Sequence, residues 1–146
     1  MSFFNSMDIS ASALTAQRLR MDVISENIAN VNTTRTGEGG PYKRKTVLFR
    51  ERSSDAGSFA DYFERVTGQR GEGVYVSRIA EDETPGARTY DPSHPDADAE
   101  GYVTMPNVNI VTEMVNMISA SRSYEANITA LNTTKSMISK TLEISR

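Results

Sequence analysis

All nine glycines and all five prolines of this 146-residue chain lie between Gly37 and Pro106. These two residue types break helices and punctuate turns. Residues up to about Val31, and those from Asn107 onward, are therefore candidates for two long helices, one at each end. The middle must be looped or β-containing. The pattern predicts an α+β chain: long N- and C-terminal helices packed as a coiled-coil-like pair, with a small β-rich domain inserted between them.

The N-terminal stretch counts in alternating steps of four and three: Phe3, Met7, Ser10, Leu14, Gln17, Met21, Ile24, Ile28 and Val31. Seven of the nine are apolar, which is the heptad stripe of a coiled-coil seam. Asp8 or Ser10 is a candidate cap for its start. The C-terminal count runs Ile110, Met114, Met117, Ser121, Tyr124, Ile128, Leu131, Lys135, Ile138, Leu142 and Ser145, with eight of eleven apolar. A shorter stripe lies beside it, with Val111, Val115 and Ile118 early and Met137 and Ile144 late. After Pro106, Asn107 or Asn109 is the candidate cap. Such a helix is a rod of roughly 54 Å at about 1.5 Å per residue, longer than a domain of this size needs.

Off the stripe, the C-terminal helix is rich in Ser, Thr and Asn, including Ser119, Ser123, Asn127, Thr129, Asn132, Thr133, Thr134 and Ser136. Each costs roughly 0.5 kcal/mol of helix propensity relative to Ala. A solvated coiled coil would carry Glu, Lys and Ala there. The helix should be weak alone and strong when packed, and its small side chains let neighbours approach closely. It is expected to be surrounded by more helices than its one N-terminal partner supplies. A simple two-helix hairpin with a polar back is the plainer alternative.

Within the insert, "YKRKTVLFRER" from Tyr42 and "GVYVSRIAED" from Gly73 read as strands. In the second, Val74, Val76 and Arg78 alternate against Tyr75, Ser77 and Ile79. "SFADYFERV" reads as a short amphipathic helix with Phe59, Tyr62, Phe63 and Val66 on one side. Charge is asymmetric: six bases and two acids from Arg35 to Arg52, then seven acids and one base from Glu81 to Glu100. Either these are two solvated faces, or the basic side of one subunit meets the acidic side of its neighbour head-to-tail.

The residues offer no catalytic constellation, so the chain is not expected to be an enzyme or to hold a cofactor. There is no cysteine for a disulfide, a thiolate metal site or a nucleophile. His94, the one histidine, lies between Pro92 and Pro95 and suits a turn hydrogen bond. "DADAEGYVTMPN" opens like a calcium loop but ends on Asn107 where a bidentate Glu is needed. "GQRGEGVY" has neither dinucleotide-loop nor phosphate-loop spacing. The net charge of −3 gives no reason to expect nucleic acid, and no run is long enough for membrane insertion. The N-terminus, without a basic start or a continuous apolar core, is not expected to act as a Sec-type signal.

"ALTAQRLRMDVISENIANVNTTRT" strongly resembles the N-terminal signature of bacterial flagellar rod, hook and filament-axis proteins, a helix ending in "NIAN-x-NT". "YDPSHPDADAEGYVTMPNVNIVTEM" and "MISASRSYEANITALNTTKSMISKTLEI" are similar to the basal-body rod family, specifically its proximal rod members. The resemblance implies a structural subunit of the proximal rod, the axial drive shaft that links the membrane ring to the distal rod and transmits torque. It implies a discontinuous helical, tube-forming domain at 1–33 and 107–146, with a β-rich outer domain at 34–106. Assembly would run head-to-tail and side-by-side through Met7, Leu14, Met21, Ile24 and Ile28 on one helix. The other helix would contribute Ile110, Met114, Met117, Tyr124, Ile128, Leu131, Ile138 and Leu142.

Implied partners are further copies in a helical tube, other rod subunits, the ring-to-rod adaptor, the membrane-ring protein and the flagellar type III export apparatus. The implied location is the basal body in the periplasm, reached without a cleaved signal. Asn27, Asn30, Asn32 and Thr33 would hold the chain as it leaves the tube, using the tolerance of Asn for left-handed backbone and bonds to freed backbone groups or across to the other helix. Two other readings compete. One is a coiled-coil adaptor or chaperone-like factor of the export system. The other is an enzyme acting on peptidoglycan, for which no paired-carboxylate motif speaks.

Overall fold

The computed structural model describes residues 3–52 and 72–144. The expected "SFADYFERV" helix lies outside the described residues. Helix α1 spans Phe3–Ala29, strands β1 and β2 span Lys45–Glu51 and Val74–Glu81, β3 and β4 span Arg88–Tyr90 and Tyr102–Thr104, and helix α2 spans Ile110–Ile144. The architecture is the expected α+β arrangement of two long terminal helices around a small antiparallel strand region. Asp8 and Ser10 do not cap α1: it begins by Phe3, and both lie inside it.

Helix α2 starts where Asn109 stops the preceding turn. The Asn109 side-chain oxygen accepts the Thr112 amide at 3.1 Å, and its carbonyl accepts the Glu113 amide at 3.0 Å. That is an N-cap. Asn109→Ala is expected to cost about 1 kcal/mol, read as a lower midpoint in urea unfolding followed by helix circular dichroism. An unchanged midpoint would mean the turn holds without the cap.

The two helices run antiparallel. Asn27 near the end of α1 bonds Glu113 near the start of α2, and from there the helices pack along their lengths. At 35 residues against 27, α2 is the longer helix. Its buried residues are Glu113, Ala120 and Thr134. With half-buried Met117, Tyr124, Asn127, Leu131 and Ile138 they form a seam in steps of four and three. This seam is rotated from the apolar count. Met117, Tyr124, Leu131 and Ile138 belong to both, whereas Ile110, Met114, Ile128 and Leu142 stand exposed.

The β1–β2 hairpin lies along α1 and is bolted to it at both ends. Asn27 holds the Lys45 backbone. Fifteen residues earlier the Ser12 hydroxyl accepts the Val74 amide at 3.0 Å and donates to the Ile9 carbonyl at 2.7 Å. Helix rise makes that span about 22 Å, and the seven-residue β1 covers about 20 Å. The matched lengths let an otherwise marginal two-stranded sheet use the helix as its second layer. Gly73, at φ +97°, makes the contact possible, since a Cβ there would run into the Ser12 hydroxyl.

The pairing has one irregularity. Leu48 lies opposite Arg78 but Phe49 lies opposite Val76, so Ser77 is an extra residue in β2. Its hydroxyl donates to the Leu48 carbonyl at 3.1 Å. This bulge breaks the expected alternation: Val74 and Val76 are half-buried, but beyond Ser77 Arg78 turns outward beside Leu48, and Ile79 takes the inner side opposite half-buried Val47.

Candidate functional site

The exit from α1 meets the root of the insert and the first turn of α2 at one buried polar junction. Asn27 is fully buried and uses every hydrogen-bonding site on its amide. Its nitrogen donates to the Lys45 carbonyl at 2.8 Å and to Glu113 Oε2 at 2.9 Å. Its oxygen accepts the Tyr42 hydroxyl and the Lys45 amide, both at 2.9 Å. Glu113, 1% exposed, takes a forked bond on Oε1 from Arg44, with Nε at 2.9 Å and the terminal nitrogen at 2.7 Å. The Arg44 amide donates to the Asn107 side chain at 3.0 Å. One carboxylate and one amide thus tie α1, the start of β1 and α2 together. Satisfied networks of this kind fix geometry, because any other arrangement strands a buried polar group.

The other exit residues act locally. The Asn30 side chain donates to the Glu26 carbonyl at 2.9 Å and accepts the Thr33 hydroxyl at 3.1 Å. The Thr33 carbonyl accepts the Tyr42 amide at 3.0 Å, which closes the loop back on itself. Asn32 stands exposed on the outside of the turn. Only Asn27 of the four reaches across to the other helix. The exit does not use left-handed asparagine: every described residue with positive φ is glycine. A 3₁₀-type turn, Val31 amide to Ile28 carbonyl at 3.4 Å and Thr33 amide to Asn30 carbonyl at 3.0 Å, does that work.

Tyr42 loses its proton late. Burial, then the carboxylates of Glu26, Glu81 and Glu113, push it from 10.0 up to about 12. The folded chain keeps a proton that the unfolded chain has already released. The stabilisation is therefore complete below pH 10 and is lost as the pH climbs from there through about 12. In an alkaline absorbance titration Tyr42 is expected to give a late step, which Tyr42→Phe should remove. A titration curve that Tyr42→Phe leaves without any loss at its alkaline end would contradict the junction.

Away from the junction, α2 is smooth. The hydroxyls of Ser123, Thr129, Thr133, Thr134, Ser136, Ser139 and Thr141 each bond the carbonyl four residues back. Their polarity is folded into the helix, leaving a narrow rod with short side chains. At its N-terminal half Ile110, Val111, Met114, Val115 and Ile118 lie exposed on one side, Val111 at 70% and Val115 at 61%. Contiguous apolar surface of this kind marks an interaction face. Of the expected α1 stripe, Ile24 is buried, and Met7, Leu14, Met21 and Ile28 are half-buried.

The acidic loop forms turns. Asp98 accepts the amides of Glu100 and Tyr102 and pairs with Arg88. His94 Nδ1 accepts the Asp96 amide at 3.1 Å. Asp96 accepts the Thr34 hydroxyl at 2.8 Å and lies 3.7 Å from Arg35. The basic and acidic segments therefore partly neutralise each other within one chain.

Residues 7–35 match the flagella basal body rod protein family, and residues 99–144 match the C-terminal region of flagellar basal body rod FlgEFG proteins. Those ranges take in α1 from Met7 onward, the whole of α2, the exit turn and Glu113. They define the class, a structural protein of the flagellar basal-body rod. Over its whole length the chain is 49% identical to the flagellar basal-body rod protein FlgC of Bacillus subtilis, with 100% of both chains covered. It is 50% identical to FlgC of Borreliella burgdorferi, over 99% of this chain and 98% of that one. For FlgC of Salmonella typhimurium the identity is 44%, over 99% and 98%. The chain belongs to the FlgC family of flagellar basal-body rod proteins.

Proposed function

We propose that this chain is a non-enzymatic building block of the proximal rod that assembles chiefly through its terminal helices. Residues 1–33 and 107–146 would form the axial tube layer and residues 34–106 the outer layer. The observation that carries this reading is the exposed apolar side of α2, which α1 leaves uncovered. Further copies and other rod subunits would cover it, together with the ring-to-rod adaptor and membrane-ring protein at the base. The buried junction would keep the outer layer at a fixed attitude to the helices, so that a twist applied to the tube passes through each subunit without slack.

The chain would reach the periplasm through the flagellar type III apparatus without a cleaved signal. Helices made weak by Ser, Thr and Asn suit passage in an unfolded state. The test is electron microscopy of basal bodies from source cells lacking this chain. Particles that end at the membrane ring support a required axial role near the base. Complete rods would reject it and favour an export adaptor.

A further inference from the structure

Two hairpin faces of the insert carry opposite charge, and the helix junction uses neither. On β1–β2, residues paired across the strands project from the same face. Arg50 with Tyr75 and Leu48 with Arg78 therefore share the exposed side. The Ser77 bulge is what brings Arg78 there; in unbroken register Leu48 would face Ser77. The result is an apolar centre, Leu48 and Tyr75, flanked by two guanidinium groups.

On β3–β4, Tyr90 lies opposite Tyr102 with ring centres 5.2 Å apart and edge-on. Gly101, at φ +83°, makes room for this pair, since a Cβ there would come within 2.9 Å of the Tyr90 ring. Arg88 covers the other ring at 5.0 Å and is neutralised by Asp98. Asp91 and Glu100 flank the strand pair and make no ion pair among the described residues, so beside the neutralised Arg88–Asp98 pair the excess charge is negative. Asp91 is held below the usual carboxylate range, first by the Ser93 hydroxyl, and Asp98 first by the Tyr102 amide. This face is also aromatic at its centre, but its rim is negative.

We propose that the basic hairpin face of one copy docks on the acidic, tyrosine-centred face of a second copy. The proposal rests on the rod-subunit reading and adds an outer contact to that of the helices. Tyrosine and arginine at the centre and charge at the rim are the composition of a specific protein interface. Pairing either face with itself would set like charges against each other. Joining two different faces gives a heterologous contact, which repeats from subunit to subunit.

The test reverses charge on each face in the full chain and counts its copies per purified basal body. Arg50→Glu with Arg78→Glu makes one face acidic. Ala99→Lys with Glu100→Lys makes the opposing turn basic, at exposed positions whose side chains make no internal bond among the described residues. Each pair alone is expected to cut incorporation at least about tenfold, and all four together should restore it, which also shows that the variants fold. Normal incorporation of either single pair would overturn the proposal while leaving the rod reading intact. Loss without rescue would overturn it too, and would assign the faces to a different protein. Complete rods in cells lacking the chain would reject the rod reading and this proposal with it.

Discussion

Glu113→Ala is expected to destabilise the folded chain by about 3–5 kcal/mol, the usual cost of removing one partner from a buried ion pair. Glu113 is 1% exposed, and its loss strands two groups at once. Arg44, forked onto Oε1, keeps a charge that is only partly solvated. Asn27, fully buried, loses the acceptor for one of its amide protons. The carboxylate also sits in the first turn of α2, where negative charge complements the helix dipole. Glu113→Gln, which keeps the shape and loses the charge, should fall between wild type and alanine. In a double-mutant cycle with Arg44→Ala the two losses should not add, because each variant removes the same pair. Urea unfolding followed by the helix signal measures all four. A Glu113→Ala loss under 1 kcal/mol, or simple additivity, would mean the junction is dispensable.

Val115→Asp should have the reverse profile, near-normal folding and no incorporation. The side chain is 61% exposed on the uncovered side of α2, so a carboxylate there stays in water in the free chain, and the stability change should lie within about 0.5 kcal/mol. In an assembled rod the same carboxylate would be buried without a partner, at a cost of several kcal/mol. Ile128→Asp, 38% exposed further along the helix, is expected to behave alike. Basal bodies from cells expressing each variant should lack rods, while the purified chains keep their helix content. Normal rods would show that this side of α2 faces solvent in the assembly.

Much of the fold is legible in the sequence because it depends on local chemistry. Confining every breaker to Gly37–Pro106 leaves only two places for long helices, and backbone preference acts residue by residue. The two longer strands follow from β-branched and aromatic runs, and the α2 cap from the two Asn candidates after Pro106, of which Asn109 serves. The "NIAN-x-NT" phrase pointed to the exit, and Asn27 within it is the hub of the junction.

What only the tertiary structure decided is pairing at long range. Glu113 was missed because a lone acid among Ile110, Val111, Met114 and Val115 is ordinary helix surface until its partner is known. Arg44 lies 69 residues away and Asn27 lies 86 away. The acid within an apolar run was the available signal. The helix seam shows the same limit. A count in fours and threes records which side chains are apolar, but α1 takes the face whose shape it fits, built on Ala120 and Thr134. The apolar residues beside that face stay exposed. One extra residue in β2 likewise turned Arg78 from the inner side to the outer. Sequence determined which segments are helix and strand, because that is set by each residue's own backbone and side-chain preferences. Which faces meet was decided by packing and by buried charges that had to find partners.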